Sequence, residues 1–157
     1  MLVTLRRTEF NDLILFQNLY NLYLNEMSIY KKNNVLDEEG YYNLNMVNYY
    51  FSDRDHYFAY IIYFDEKIVG FVTLSKYPNT IKESDYCLQD IYVLPFARTN
   101  KIGSNCLKKI FDEFKGKYYF VIDRLNNLGI SFFENNIEEL KKEEVNKKVI
   151  GLEFIIK

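Results

Sequence analysis

The aromatic and β-branched run Tyr57–Phe64 is interrupted by Asp65 and Glu66 and resumes over residues 67–76. Two such runs separated by two polar residues predict an antiparallel hairpin. Any fold for this chain must therefore contain a sheet begun in its middle. Before the hairpin, residues 2–6 alternate well enough for a short strand. Leu13, Phe16, Leu19, Tyr20, Tyr23, Leu24 and Met27 then recur at helical spacing behind Thr8, a candidate cap. Residues 31–34 read as loop. A second helix is expected over residues 37–50, with Leu44, Val47 and Phe51 on one side.

After the hairpin, residues 78–83 read as a polar loop and residues 85–93 as another strand, ended by Pro95, which cannot donate to a ladder. The stripe Ile102, Cys106, Leu107, Ile110, Phe111 and Phe114 marks a long helix, with Gly116 where it would stop. Residues 118–123 read as a buried strand and 128–135 as a short helix. Residues 137–145 could extend that helix by composition. The alternation over 149–156 and the turn-like Asn146-Lys147 favour two strands joined at Asn146. The order is β-α-α-β-β-β-α-β-α-β-β, an α/β sandwich on a mixed sheet and not a regular doubly wound fold.

Composition bounds what such a fold can do. With 157 residues, no visible linker and no internal repeat, residues 1–157 read as a single domain. Twenty Lys and Arg against 22 Asp and Glu give a net charge of −2, so no strong field draws in nucleic acid or an anionic membrane. The longest apolar runs fall well short of a bilayer crossing. The first seven residues place apolar side chains before Arg6 and Arg7, the reverse of a secretory signal. Cys87 and Cys106 have neither metal-ligand spacing nor the number for a disulfide framework, so two reduced thiols in the cytoplasm are expected. The single His56 excludes a zinc site built on several histidines, and no metal is expected.

The informative stretch is the strand, turn and helix start Ile91-Tyr92-Val93-Leu94-Pro95-Phe96-Ala97-Arg98-Thr99-Asn100-Lys101-Ile102-Gly103-Ser104. The first turn of a helix carries backbone N–H groups without intrahelical partners and about half a positive charge from the aligned peptide dipoles. Gly103 would let a phosphate reach that backbone, Ser104 adds a hydroxyl, and Arg98 and Lys101 add cationic heads. A diphosphate cradle fits these residue types. So does a helix start merely eased by Gly103, with the two cations solvated.

This stretch resembles the GNAT superfamily of N-acetyltransferases, whose turn reads Gln or Arg, two residues, Gly, one residue, then Gly or Ala. The matching run is Arg98-Thr99-Asn100-Lys101-Ile102-Gly103, preceded by Tyr92-Val93-Leu94-Pro95, with Lys101 standing in place of the first glycine. A second run, Asn126 to Phe133, is similar to a later family segment. Asn126 and Gly129 fit its first positions, and Phe133 stands where a tyrosine commonly protonates the departing thiolate. Helix-to-sheet packing is the other reading of Phe132 and Phe133.

The resemblance implies a GNAT-like mixed, mostly antiparallel central sheet flanked by helices. It implies acetyl-CoA as co-substrate, lying between two parallel strands that splay apart, here residues 85–93 and 118–123. Ile91, Tyr92, Val93, Arg98, Thr99, Asn100, Lys101, Ile102, Gly103, Ser104, Asn126 and Phe133 would then contact it. Direct attack by a primary amine of a small molecule or peptide requires a base, for which Asp90 is the candidate, with Glu83 and Asp85 as alternatives. Cys106, on the apolar stripe, reads as structural and not as a nucleophile. Tyr20, Tyr23, Tyr30, Tyr41, Tyr42, Tyr49 and Tyr50 and the acids Asp37, Glu38 and Glu39 could form an acceptor pocket, although 15 tyrosines in all make compositional bias a simpler account. A non-catalytic acyl-CoA-binding or protein-interaction module on the same fold is the competing expectation, and a homodimer is compatible with either.

Overall fold

The computed structural model describes residues 2–76 and 81–157. The central sheet is built in two halves. The first runs in the order β1 (Val3–Arg7), β2 (Tyr57–Phe64), β3 (Lys67–Ser75), β4 (Cys87–Val93), antiparallel throughout. The second runs β5 (Gly116–Asp123), β7 (Val149–Ile156), β6 (Lys141–Glu144), also antiparallel. The expected hairpin is present, with Asp65 and Glu66 at φ 45° and 66°. Two consecutive positive φ values are what a two-residue loop needs to match strand twist. The two strands favoured at the C-terminal end also form, and Asn146 makes their turn by accepting from the N–H groups of Lys148 and Val149 through Oδ1.

Two apolar cores form, one on each face of the sheet. Helix α1 (Leu13–Met27) and helix α2 (Asn45–Ser52) pack on one side of β2 and β3, burying Phe16, Leu19, Tyr20, Val47 and Tyr50 against Ala59, Ile61 and Phe71. Helix α3 (Ile102–Glu113) covers the opposite face. Its stripe Ile102, Cys106, Leu107, Ile110 and Phe111 is buried with Ile62, Val72, Leu74 and Tyr118. Helix α4 (Asn127–Asn136) adds Phe133 to that second core.

Several expected boundaries move, each for a local reason. Thr8 is not the cap of α1: its N–H donates to Ala59 O and the residue is fully buried, so it prolongs the β1 pairing. A 3-10 turn, Phe10–Asp12, leads into α1 instead, and Asp12 accepts from the Glu9 N–H and from Arg6. Helix α2 begins at Asn45, not at residue 37, because Asp37 folds the chain into a turn, accepting from the N–H groups of Glu39 and Tyr41. Gly116 does not stop α3, which is ended at Phe114. It opens β5 at φ 142°, where an added Cβ would stand 2.7 Å from Asp85 Oδ2. β4 begins at Cys87 instead of residue 85, since the Asp85 and Tyr86 N–H groups are turned to Lys117 O. Of the expected polar loop at 78–83, residues 78–80 lie outside the described residues.

Phe16 is fully buried and its ring meets those of Tyr20, Tyr50, Phe51 and Phe71 at 5.2–5.9 Å. Phe16→Ala is expected to cost about 3–5 kcal/mol in urea-induced unfolding, against less than about 0.5 kcal/mol for alanine at the exposed Leu22 on the same helix.

Candidate acyl-donor cleft and acceptor recess

β4 and β5 run parallel but meet only once. Beyond the bridge between Tyr86 and Tyr118, with the bond from Tyr119 N to Tyr86 O, no ladder joins them among the described residues. A bulge moves β4 away at this point: Thr73 opposes Asp90 and Leu74 opposes Leu88, leaving Gln89 extra. The N–H of Leu94 donates to Val69 O. Alternation along an antiparallel ladder then turns the backbone groups of Tyr92 and Asp90 toward β3, and those of Ile91 and Val93 into the cleft. By the same alternation from Tyr119, Val121 and Asp123 face the cleft from β5.

Of the expected contacts on β4, Ile91 and Val93 thus offer backbone to the cleft. Tyr92 does not, because its backbone pairs with Phe71 and its ring is buried among Tyr23 and Phe71.

The cleft leads to the turn before α3. Residues Pro95–Asn100 form a 3-10 segment and Lys101, at φ 53° and ψ 23°, takes the left-handed conformation that admits α3. The first bond within that helix runs from Asn105 N to Lys101 O, and no side chain caps the helix among the described residues. The N–H groups of Ile102, Gly103 and Ser104 are therefore open donors at the positive end of a 12-residue helix. Thr99, Asn100 and Lys101 are exposed around them, whereas the Ile102 side chain is in the core.

Two expected ligands are otherwise engaged. Arg98 donates from Nε to Val93 O at 2.8 Å and from both terminal nitrogens to Glu26 at 2.6 Å. Asn126 caps α4, accepting from Gly129 N at 2.9 Å. Gly103 owes its missing side chain at least partly to packing, since an added Cβ would stand 3.0 Å from the Phe132 ring. Phe133 is buried against Phe120 and Phe132, with ring centroids 5.0 and 5.3 Å away.

On the other face of β4, the Asp90 side chain lies beneath α1. The Tyr20 hydroxyl donates to its Oδ2 at 3.3 Å and Thr73 Oγ1 stands 3.5 Å away. The residue keeps partial solvent access. Burial holds its carboxyl above the usual carboxylate range, while the hydroxyls of Tyr23 and Tyr20, the charge of Lys31 and the Thr73 hydroxyl pull the other way. Tyr50, 1 % exposed, leaves its hydroxyl without a hydrogen-bond partner on the same side of the sheet, where the field of Asp90 reaches it.

The other carboxylates considered are elsewhere: Asp85 holds Lys117 N at the closed end of the β4–β5 pair, and Glu83 is exposed. Cys106 is fully buried and burial pushes its thiol far up, which removes it as a nucleophile. Neither cysteine is joined in a disulfide. No helix is long and apolar enough to cross a membrane, and no group of three or more His, Cys, Asp or Glu side chains could hold a metal, both among the described residues. Glu26 and Thr73 were not singled out by sequence, and Tyr20 and Tyr23 were expected only as members of a tyrosine-rich acceptor pocket, not as neighbours of Asp90. The helical stripe carried the tyrosines, but nothing local linked residue 26 to residue 98.

Comparison with known proteins agrees with this geometry. The model of the acetyltransferase (GNAT) family matches residues 16–136, and the chain belongs to that family. An acetyltransferase from Thermus thermophilus superposes with a TM-score of 0.71 at 12 % identity, covering 99 % of this chain and 97 % of that one. The PaiA N-acetyltransferase of Thermoplasma acidophilum, in complex with coenzyme A, gives 0.64 at 18 % identity and 99 % coverage of both chains. Spermidine N-acetyltransferase from Vibrio cholerae, in complex with CoA and spermine, gives 0.64 at 21 %, covering 98 % of this chain and 95 % of that one. No curated protein sequence matches the chain. At such identities the structural likeness speaks for the fold.

A left-handed residue other than glycine is strained by about 1–2 kcal/mol. Lys101→Gly should therefore raise the unfolding free energy by up to about 1 kcal/mol once the greater freedom of glycine in the unfolded chain is deducted. Chemical denaturation of the two proteins side by side checks this.

Proposed function

We propose that the protein is an N-acetyltransferase that moves an acetyl group from acetyl-CoA to a primary amine of a small molecule or peptide. The observation that carries this reading is the cleft between β4 and β5, lined by unpaired backbone and ending on the uncapped start of α3. Such a cleft suits a long polar arm with a diphosphate at one end. The open N–H groups of Ile102, Gly103 and Ser104 would hold the diphosphate, with Thr99, Asn100 and Lys101 beside them, and the Ile91 and Val93 backbone would hold the arm. Acetyl-CoA supplies the activated acyl thioester. The Ile91 N–H, turned into the cleft, is a donor for negative charge building on a carbonyl oxygen there.

An acceptor amine arrives protonated and must lose a proton before it can attack. Asp90 is the base in this reading. It lies on the strand that borders the cleft and is reachable from solvent, and burial holds its carboxyl above the usual carboxylate range, which makes it a better proton acceptor than a surface carboxylate. Tyr20 holds it in place. Two cysteines outside any disulfide and the modest net charge suit a cytoplasmic location. Phe133, which has no proton to give, favours a second reading in which the same fold binds acyl-CoA without turnover.

Incubation with acetyl-CoA and a panel of primary amines, following free thiol, separates the two. Amine-dependent thiol release is expected. Asp90→Asn should lower kcat/KM by about 10²-fold or more and remove the acidic limb of the pH profile, which in the wild type lies above the usual carboxylate range. Stabilisation by CoA of about 2.7 kcal/mol at a hundredfold excess over Kd, with no thiol released by any amine, would instead favour the binding module.

A further inference from the structure

The guanidinium of Arg98 is committed on three sides. Its two terminal nitrogens meet the two oxygens of Glu26 at 2.6 Å each, its Nε holds the carbonyl oxygen of Val93 at 2.8 Å, and its Cζ lies 5.7 Å from the Tyr92 ring centroid. Glu26 belongs to the last turn of α1, 72 residues away in the chain. A fork-to-fork pair of this kind neutralises the cation and fixes its orientation. A phosphate approaching Arg98 meets a paired charge and has to displace Glu26 to gain it.

Tyr20 lies nearly two turns before Glu26 on the same helix and donates to Asp90. Helix α1 thus meets β4 directly at the Asp90 carboxylate and, through Arg98, at the Val93 carbonyl.

We infer that Arg98 is a positioning residue and not a diphosphate ligand: with Glu26 it clamps the C-terminal turn of α1 to the end of β4, setting the cleft-facing backbone at Ile91 and Val93 and the turn that leads to α3. The inference rests on the acyl-CoA reading above. The Val93 carbonyl, which would otherwise be an open acceptor in the cleft, already accepts from Arg98, so the clamp fixes the orientation of that peptide and of the cleft-facing N–H beside it. Any loss of the clamp frees that carbonyl and lets α1 and the turn move independently. Because both side chains are partly exposed, at 40 % and 30 %, the pair adds little to global stability. An effect on ligand affinity is therefore separable from an effect on folding.

The test is a double-mutant cycle on CoA binding by calorimetry, with Glu26→Gln, Arg98→Gln, both together, and the swapped pair Glu26→Arg with Arg98→Glu. A clamp predicts that each single change weakens CoA binding by a similar factor, about fivefold, that the double variant is no worse than either, and that the swapped pair regains part of the loss. The melting temperature of the free protein should move by no more than about 2 °C. In turnover, the KM for acetyl-CoA should rise more than kcat falls.

A phosphate-binding Arg98 predicts the opposite sign for Glu26→Gln, which would release the cation and tighten CoA. That result, or a loss confined to Arg98→Gln, overturns the inference. A fall in melting temperature large enough to account for the lost affinity overturns it as well, by making the pair merely structural. Failure of the wild-type protein to bind CoA at all would instead sink the acyl-CoA reading, an outcome visible before any variant is made.

Discussion

The single bridge between Tyr86 and Tyr118 is the constraint on which the rest of the molecule depends. Below it, Asp85 binds the N–H of Lys117, and the Asp85 and Tyr86 N–H groups share Lys117 O, so the two half-sheets are locked at one end. Rings then fill the space on the α3 side: Tyr86 packs on Phe114 and Tyr118, and Tyr118 stacks on Phe154 at 4.9 Å. Above it the Gln89 bulge sends β4 away from β5. Two strands fixed at one end and bent at the next residues diverge, and each leaves backbone groups that water or a ligand must satisfy. The cleft is thus a consequence of how the closed end is built.

Much of this was legible in the chain. The hairpin at Tyr57–Phe64 and Lys67–Ser75 follows from two apolar runs and a two-residue break, and α1 and α3 follow from stripes that the structure buries as expected. What failed to show were places where a short polar side chain competes with the regular pattern. Asp37 has the composition of a helix start but satisfies its neighbours' N–H groups in a turn, and Thr8 is drawn into the β1 pairing by a carbonyl of β2. Such outcomes are decided by partners distant in the chain or by geometry that periodicity does not encode.

The site was legible in the same uneven way. The turn from Arg98 to Ser104 stood out because helix-start physics is local. The structure then divides its residues among tasks that sequence had merged. Gly103 makes room for Phe132, Lys101 bears the left-handed turn, Ile102 belongs to the core, and Arg98 answers to Glu26. What is left for an anion is mostly backbone, which any residue can supply. This explains why a lysine can stand in the family's first glycine position: the turn needs its φ, and a long side chain directed to solvent does not obstruct the N–H groups of the following helix.

Asp90 poses the opposite problem, a charge where the fold alone gives it no cation. Among the described residues it has hydroxyl donors and the distant field of Lys31, but no salt bridge. Burying a carboxylate away from a cation is costly, and burial accordingly holds its carboxyl above the usual carboxylate range. The tyrosines lessen it without cancelling it, since a hydroxyl donates one hydrogen bond and brings no charge. In the acyltransfer reading proposed above, a protonated amine would bring a compensating positive charge to this carboxylate, and the same burial that makes the bare charge costly would then favour both its approach and the loss of its proton.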